Sequence, residues 1–243
     1  MKKTYHILTI YFCIMAIGLF WCNHFLHISY DSIHFGEKFL PFMFSLSLLV
    51  AFYGIKHKKI LSIRTHSRPH YIFFFISLFP LLGLSLLSLI HYFSFNFSFF
   101  IMIIDVLLIG IAEEGMFRGI LFGSLKEKVS PIRAIIISSF FFSSLHFLNI
   151  IGGVNLSTVL NQMLSTLIMG IFLACIYIET QNIIFPILFH SLWDYILLNN
   201  SINDFPITGI IILLVYILEI IISIRLLFKY KKRNICLKSF INN

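Results

Sequence analysis

The sequence predicts an all-α fold, a polytopic bundle of about eight transmembrane helices with both termini cytoplasmic. Three observations lead there. Of 243 residues, 59% are hydrophobic and only 12% charged, with a mean hydropathy of +0.95. A water-soluble domain of this length could not hide so much apolar surface. The apolar residues are gathered into runs of about 20, the length a helix needs to cross hydrocarbon. The basic residues are gathered into short stretches between alternate runs.

The first run, 7–28, follows Lys2 and Lys3. It resembles a signal peptide, but its apolar stretch is too long and lacks a small-residue cleavage site, so it reads as a retained helix. The second, 38–55, is short. The third and fourth, 71–92 and 97–125, share a weak boundary. The fifth to eighth cover 132–151, 157–178, 182–200 and 205–228. With the N-terminus inside, Lys2 and Lys3, the 56–70 loop, the 126–133 loop and the tail from Lys229 all face the cytoplasm. Of the 18 Lys and Arg residues only Lys38, Arg118 and Arg225 fall elsewhere. Removing or adding one span would scramble this positive-inside pattern. The net charge of +8 therefore reports topology, and no basic face on a soluble domain points to nucleic acid. Loops are brief, so residues 1–243 read as one membrane domain. Cys13, Cys22, Cys175 and Cys236 lie singly, without metal-knuckle or redox spacing.

Three spans carry polar groups at helical spacing. The fourth has Glu113, Glu114 and Arg118, the fifth Phe142 and His146, and the seventh His190 and Asp194. Residues four apart share a helix face. An acid at the bilayer centre costs about 3 kcal/mol unless it is paired or faces a wet cavity, so adjacent glutamates mark a site. Depth brings the groups together. At about 1.5 Å rise per residue, Glu113 lies roughly 18 Å from the cytoplasmic end of its span, His146 roughly 21 Å, His190 about 12 Å and Asp194 about 18 Å.

Glu113-Glu114-Gly115-Met116-Phe117-Arg118, Phe142-Ser143-Ser144-Leu145-His146 and His190-Ser191-Leu192-Trp193-Asp194 resemble the EExxxR, FxxxH and HxxxN/D motifs of the CAAX protease and bacteriocin-processing (Abi) family of intramembrane endopeptidases. The resemblance covers roughly 97–200 and implies that this stretch is a catalytic core. It implies that Glu113, assisted by His146, activates water as a general base, and that His190 stabilises the oxyanion of the tetrahedral intermediate. Asp194 stands where members with asparagine donate an amide hydrogen bond; an ionised aspartate only accepts. It would orient a protonated His190, or donate while itself protonated. Glu114 and Arg118 form an i,i+4 ion pair in which Arg118 holds Glu114, and Phe142 packs beside the site. The family has been discussed both as glutamate-dependent and as metal-dependent. Either no cofactor is needed, or Glu113, His146 and His190 hold Zn2+ or another divalent ion with a position open for water.

The resemblance further implies a bacterial plasma membrane and a membrane-associated substrate such as a bacteriocin or pheromone precursor, cleaved for maturation or self-immunity. CaaX processing belongs to the eukaryotic branch. Membrane lipids are the other expected partners. Two competing readings exist. A non-catalytic immunity protein would keep protecting its host after Glu113→Ala, and a transporter would show flux in empty liposomes. Rhomboid-type GxSG, presenilin-type GxGD and HExxH signatures are missing. Asp105, two turns before Glu113, is a candidate cavity-lining residue. Glu219 is expected to pair with Arg225 or a neighbouring helix. His91, His57, His66 and His70 read as solvated or interfacial.

Overall fold

Three helices begin at short polar side chains that satisfy otherwise unpaired backbone N–H groups. Asn96, Ser130 and Asn155 each accept a hydrogen bond from the backbone N–H three residues on, at 2.8, 3.4 and 2.9 Å, and Pro131 follows Ser130 at the first helical position. The computed structural model describes residues 2–32, 34–58, 68–199 and 205–241, with side chains of the last helix described through Lys232. Lys59, Arg64 and His66 of the basic loop lie outside the described residues, as do the side chains of Arg233, Cys236 and Lys238.

Among the described residues there are eight helices and no strand. They are α1 (Lys2–Phe20, passing into a π turn Trp21–Phe25), α2 (Phe35–Lys56), α3 (Ile72–Tyr92) and α4 (Phe97–Glu114). α4 continues as a π segment, Gly115–Phe122, and a last turn, Gly123–Leu125. Then follow α5 (Pro131–Leu145, ending in a 3-10 turn His146–Ile150), α6 (Leu156–Thr180), α7 (Ile184–Leu198) and α8 (Ile207–Ile241). The eight expected windows each correspond to one helix. Six helices are long and apolar enough to cross a membrane: Lys2–Phe25, Phe35–Lys56, Ile72–Tyr92, Pro131–Ile150, Leu156–Thr180 and Ile207–Lys232. The other two are α7, only 15 residues long, and α4, which carries Asp105, Glu113 and Glu114. The second span, expected to be short, is a full 22 residues.

Packing places α4 at the centre. α2 and α7 lie against α4, α5 lies on α6 and on the π segment, and α8 rests on α6 and α3. The interior is filled by Tyr11, Phe117, Phe122, Phe142, Phe172, Tyr177 and Phe189, while Phe52, Phe79 and Ile90 face outward. Lipid is as apolar as leucine, so close packing holds such helices together, and small residues allow it. A Cβ at Gly110 would collide with Ser191 Oγ of α7 and stand 3.0 Å from the Ile187 carbonyl. One at Gly115 would collide with Val50 of α2. One at Gly170 would come within 3.1 Å of Phe142 and Ser139. Gly110 and Gly115 thus let α7 and α2 close onto α4 and its π segment, and Gly170 lets α6 close onto α5.

Candidate active site

Glu113 and Glu114 end the regular part of α4, and the π segment begins at Gly115. Such wide turns recur at functional sites because they reset which side chains face inward. Here the segment turns Arg118 into the core, where it is fully buried. Its Nη1 donates to Glu114 Oε1 at 2.8 Å and its Nη2 to the Gly170 carbonyl at 3.3 Å. Its guanidinium lies 4.2 Å from the centroid of the Phe142 ring. Arg118 is thus walled in and braces Glu114.

The same oxygen of Glu114 meets His190 Nδ1 at 2.7 Å. An ionised carboxylate only accepts, so the proton of that bond sits on Nδ1. The opposite ring nitrogen, Nε2, lies 3.4 Å from Asp194 Oδ2 and 3.9 Å from Glu113 Oε2. His146 opens the 3-10 turn at the end of α5 and presents its Nε2 4.0 Å from the same Glu113 oxygen. Phe142 stands edge-on to both imidazoles, 5.5 Å from His146 and 5.6 Å from His190. The three motifs therefore converge, with Glu113 Oε2 between two imidazole nitrogens.

Contacts of 3.9 and 4.0 Å exceed direct hydrogen bonding but suit groups bridged by one small polar molecule. Glu113 Oε2, Glu114 Oε2 and His146 Nε2 are buried without a hydrogen-bond partner among the described residues. Each such atom costs about 1–3 kcal/mol if left unsatisfied, so this point of the bundle suits a small hydrogen-bond donor such as water. A zinc ion with bonds of 2.0–2.1 Å would hold tetrahedral ligand atoms roughly 3.4 Å apart. The Glu113–histidine separations are wider, and no group of three His, Cys, Asp or Glu among the described residues is placed to hold a metal ion. As placed, Glu113, His146 and His190 do not form a metal site.

Two other acids named by the sequence are also buried. Asp105 lies against Gly36 of α2, and its Oδ1 has no hydrogen-bond partner among the described residues. Glu219 is fully buried on α8 and neither of its oxygens has a hydrogen-bond partner among the described residues. The expected pairing with Arg225 is not formed, because Arg225 lies over the Phe73 ring at 5.2 Å. Several residues near the site carried no motif. Tyr11 of α1 is fully buried, its hydroxyl has no hydrogen-bond partner among the described residues, and it packs edge-on to Phe117 at 5.9 Å. Asn149, one 3-10 turn beyond His146, donates to Gln162 Oε1 at 2.8 Å, and Gln162 donates to the Tyr30 hydroxyl at 3.3 Å. Asn149 and Gln162 were detectable as amides in or beside apolar runs, whereas nothing distinguishes Tyr11 from the other tyrosines.

No curated protein matches the chain significantly. The family described as Type II CAAX prenyl endopeptidase Rce1-like matches residues 95–196, a stretch that contains all three motifs and supports a CAAX-type endopeptidase in a multi-pass membrane protein. The match spans less than half of the chain and falls on the stretch whose motifs resemble the CAAX protease family.

Proposed function

We propose that this chain hydrolyses a peptide bond in a membrane-associated substrate, using a water activated by Glu113 and His146. The observation that supports the reading most is Glu113 Oε2, 4.0 Å from His146 Nε2 and 3.9 Å from His190 Nε2. A water seated among these atoms loses a proton to Glu113 as its oxygen attacks the scissile carbonyl. His146 lies on the other side of that water and helps align it. The oxyanion that forms is met by His190. Because Nδ1–H is engaged by Glu114, His190 donates from Nε2 only when both nitrogens carry protons. Asp194, 3.4 Å from Nε2, orients that doubly protonated ring. Collapse of the intermediate expels the amine, which takes the proton that Glu113 accepted.

The substrate class proposed is a bacteriocin or peptide-pheromone precursor at a bacterial plasma membrane, cut for maturation or self-immunity, and it rests on the family resemblance. Residues 97–200 are the proposed catalytic core. The test is cleavage of a fluorogenic membrane peptide by the purified chain in vesicles. Glu113→Gln and His146→Ala should each slow cleavage by about 10²–10⁴-fold, the usual worth of a positioned acid or base, without loss of folded protein. Cleavage at the parent rate by a folded Glu113→Gln protein would refute the proposal.

A further inference from the structure

At the end of the bundle where α1 begins and α2 and the α4 extension finish, four chain segments line an open cavity of about 350 Å³. That volume lies within the range of small-molecule sites, about 300–1,000 Å³. Lys2 and Lys3 reach it from the first turn of α1, His57 from just beyond α2, and Lys128 from the connector before α5. Glu127 is the one acid on its wall, so cations outnumber anions. Hydroxyls also line it. Thr4 and Ser124, both buried, are joined by a 2.9 Å hydrogen bond across α1 and the last turn of α4. The cavity belongs to the ends of two helices long and apolar enough to cross a membrane, which places it where headgroups begin. The same ends carry outward-facing Tyr5, Phe52 and Ile55, an apolar skirt beneath a cationic mouth.

We propose that this cavity binds a phosphate-bearing anion, and that its source is the headgroup of an anionic phospholipid whose acyl chains lie along α1 and α2. Basic pockets between helix ends at the cytoplasmic face are the kind of place such headgroups are held. The lysines neutralise the phosphodiester, the one hydroxyl proton of Thr4 and Ser124 not spent on their mutual bond is left for a headgroup oxygen, and the skirt accommodates the tails. A free phosphate would use the lysines and hydroxyls but gain nothing from Tyr5, Phe52 and Ile55. This site stands apart from Glu113 and does not depend on its chemistry.

Thermal unfolding of the full chain, purified in a zwitterionic detergent, tests the proposal with three probes: phosphatidylglycerol, phosphatidylcholine and inorganic phosphate. Phosphatidylglycerol should raise the unfolding temperature and phosphatidylcholine should not. A shift with inorganic phosphate equal to that with phosphatidylglycerol would keep the anion site but overturn the lipid source. Lys2→Gln with Lys3→Gln, or Lys128→Gln alone, should weaken the apparent affinity for phosphatidylglycerol by about tenfold. Their stability in phosphatidylcholine should match the parent. Lys231→Gln with Lys232→Gln, an equal change of charge on the exposed tail, should leave that affinity unchanged. Equal losses in the two double variants would reduce the effect to bulk charge and overturn the site, as would the absence of any phosphatidylglycerol shift.

Discussion

Glu114 accepts from Arg118 and His190 with a single oxygen, so the most buried acid of the motif positions an imidazole and stands one residue from the proposed base. Replacing it by alanine should lower kcat with little change in KM, because it removes an orienting contact and leaves substrate binding intact. Arg118→Ala should act the same way, and both variants should lower stability, since each removes one partner of a buried ion pair and leaves the other charge without it. Steady-state kinetics with a folding check separate the two effects. Asp194 gives a sharper contrast. Asp194→Asn should keep substantial activity, as an amide can still hold Nε2 or donate to the oxyanion, whereas Asp194→Ala should not. Equal loss in both would reject its role as orienter or donor. Metal content and chelation address the alternative chemistry. Activity that survives a strong chelator, with less than one equivalent of metal per chain by elemental analysis, is the outcome expected from the Glu113–histidine separations.

Helix pairs were harder to foresee than the helices themselves. Runs of apolar residues made the elements legible, because hydrophobic length is local. The i,i+4 spacing of Glu114 with Arg118, and of His190 with Asp194, was legible for the same reason. The link from Glu114 to His190 was not, since it depends on how closely α4 and α7 approach. That approach is set by Gly110, which no motif contains. Gly110→Ala should therefore destabilise the protein by about 1–3 kcal/mol and lower activity. Gly83→Ala, where a Cβ would meet nothing within 4 Å, should be neutral or slightly stabilising, as alanine is the better helix former. Thermal unfolding of the pair is the measurement. The π segment was equally hidden, because a change of helical pitch leaves no signature in a run such as Gly115–Phe122.

For the bundle as assembled, the order of helices and their apolar outer surface followed from hydropathy and charge, but the tie between its last helix and the rest did not. Lys229 donates to both oxygens of Glu179, at 3.0 and 2.8 Å, and the Tyr230 hydroxyl lies 2.9 Å from the same carboxylate. These contacts fasten α8 to the end of α6. Glu179→Ala should loosen α8 and lower the unfolding temperature while leaving the Glu113 site intact, which limited proteolysis of the C-terminal segment would detect. Tags at the two ends should both be shielded from an impermeant protease in right-side-out vesicles, as the distribution of Lys and Arg requires.

The shortness of α7 has a consequence for how a substrate arrives. Its 15 residues span about 22 Å, against a hydrocarbon layer of about 30 Å. A bilayer meeting so short a rod thins, or lets water fill the difference, at a modest cost per ångström of mismatch. That dimple would lie over the helix that carries His190 and Asp194. A peptide drifting in from the lipid would there shed the regular backbone pairing that shields its amides, and a strand-like stretch would be offered to Glu113 already wetted.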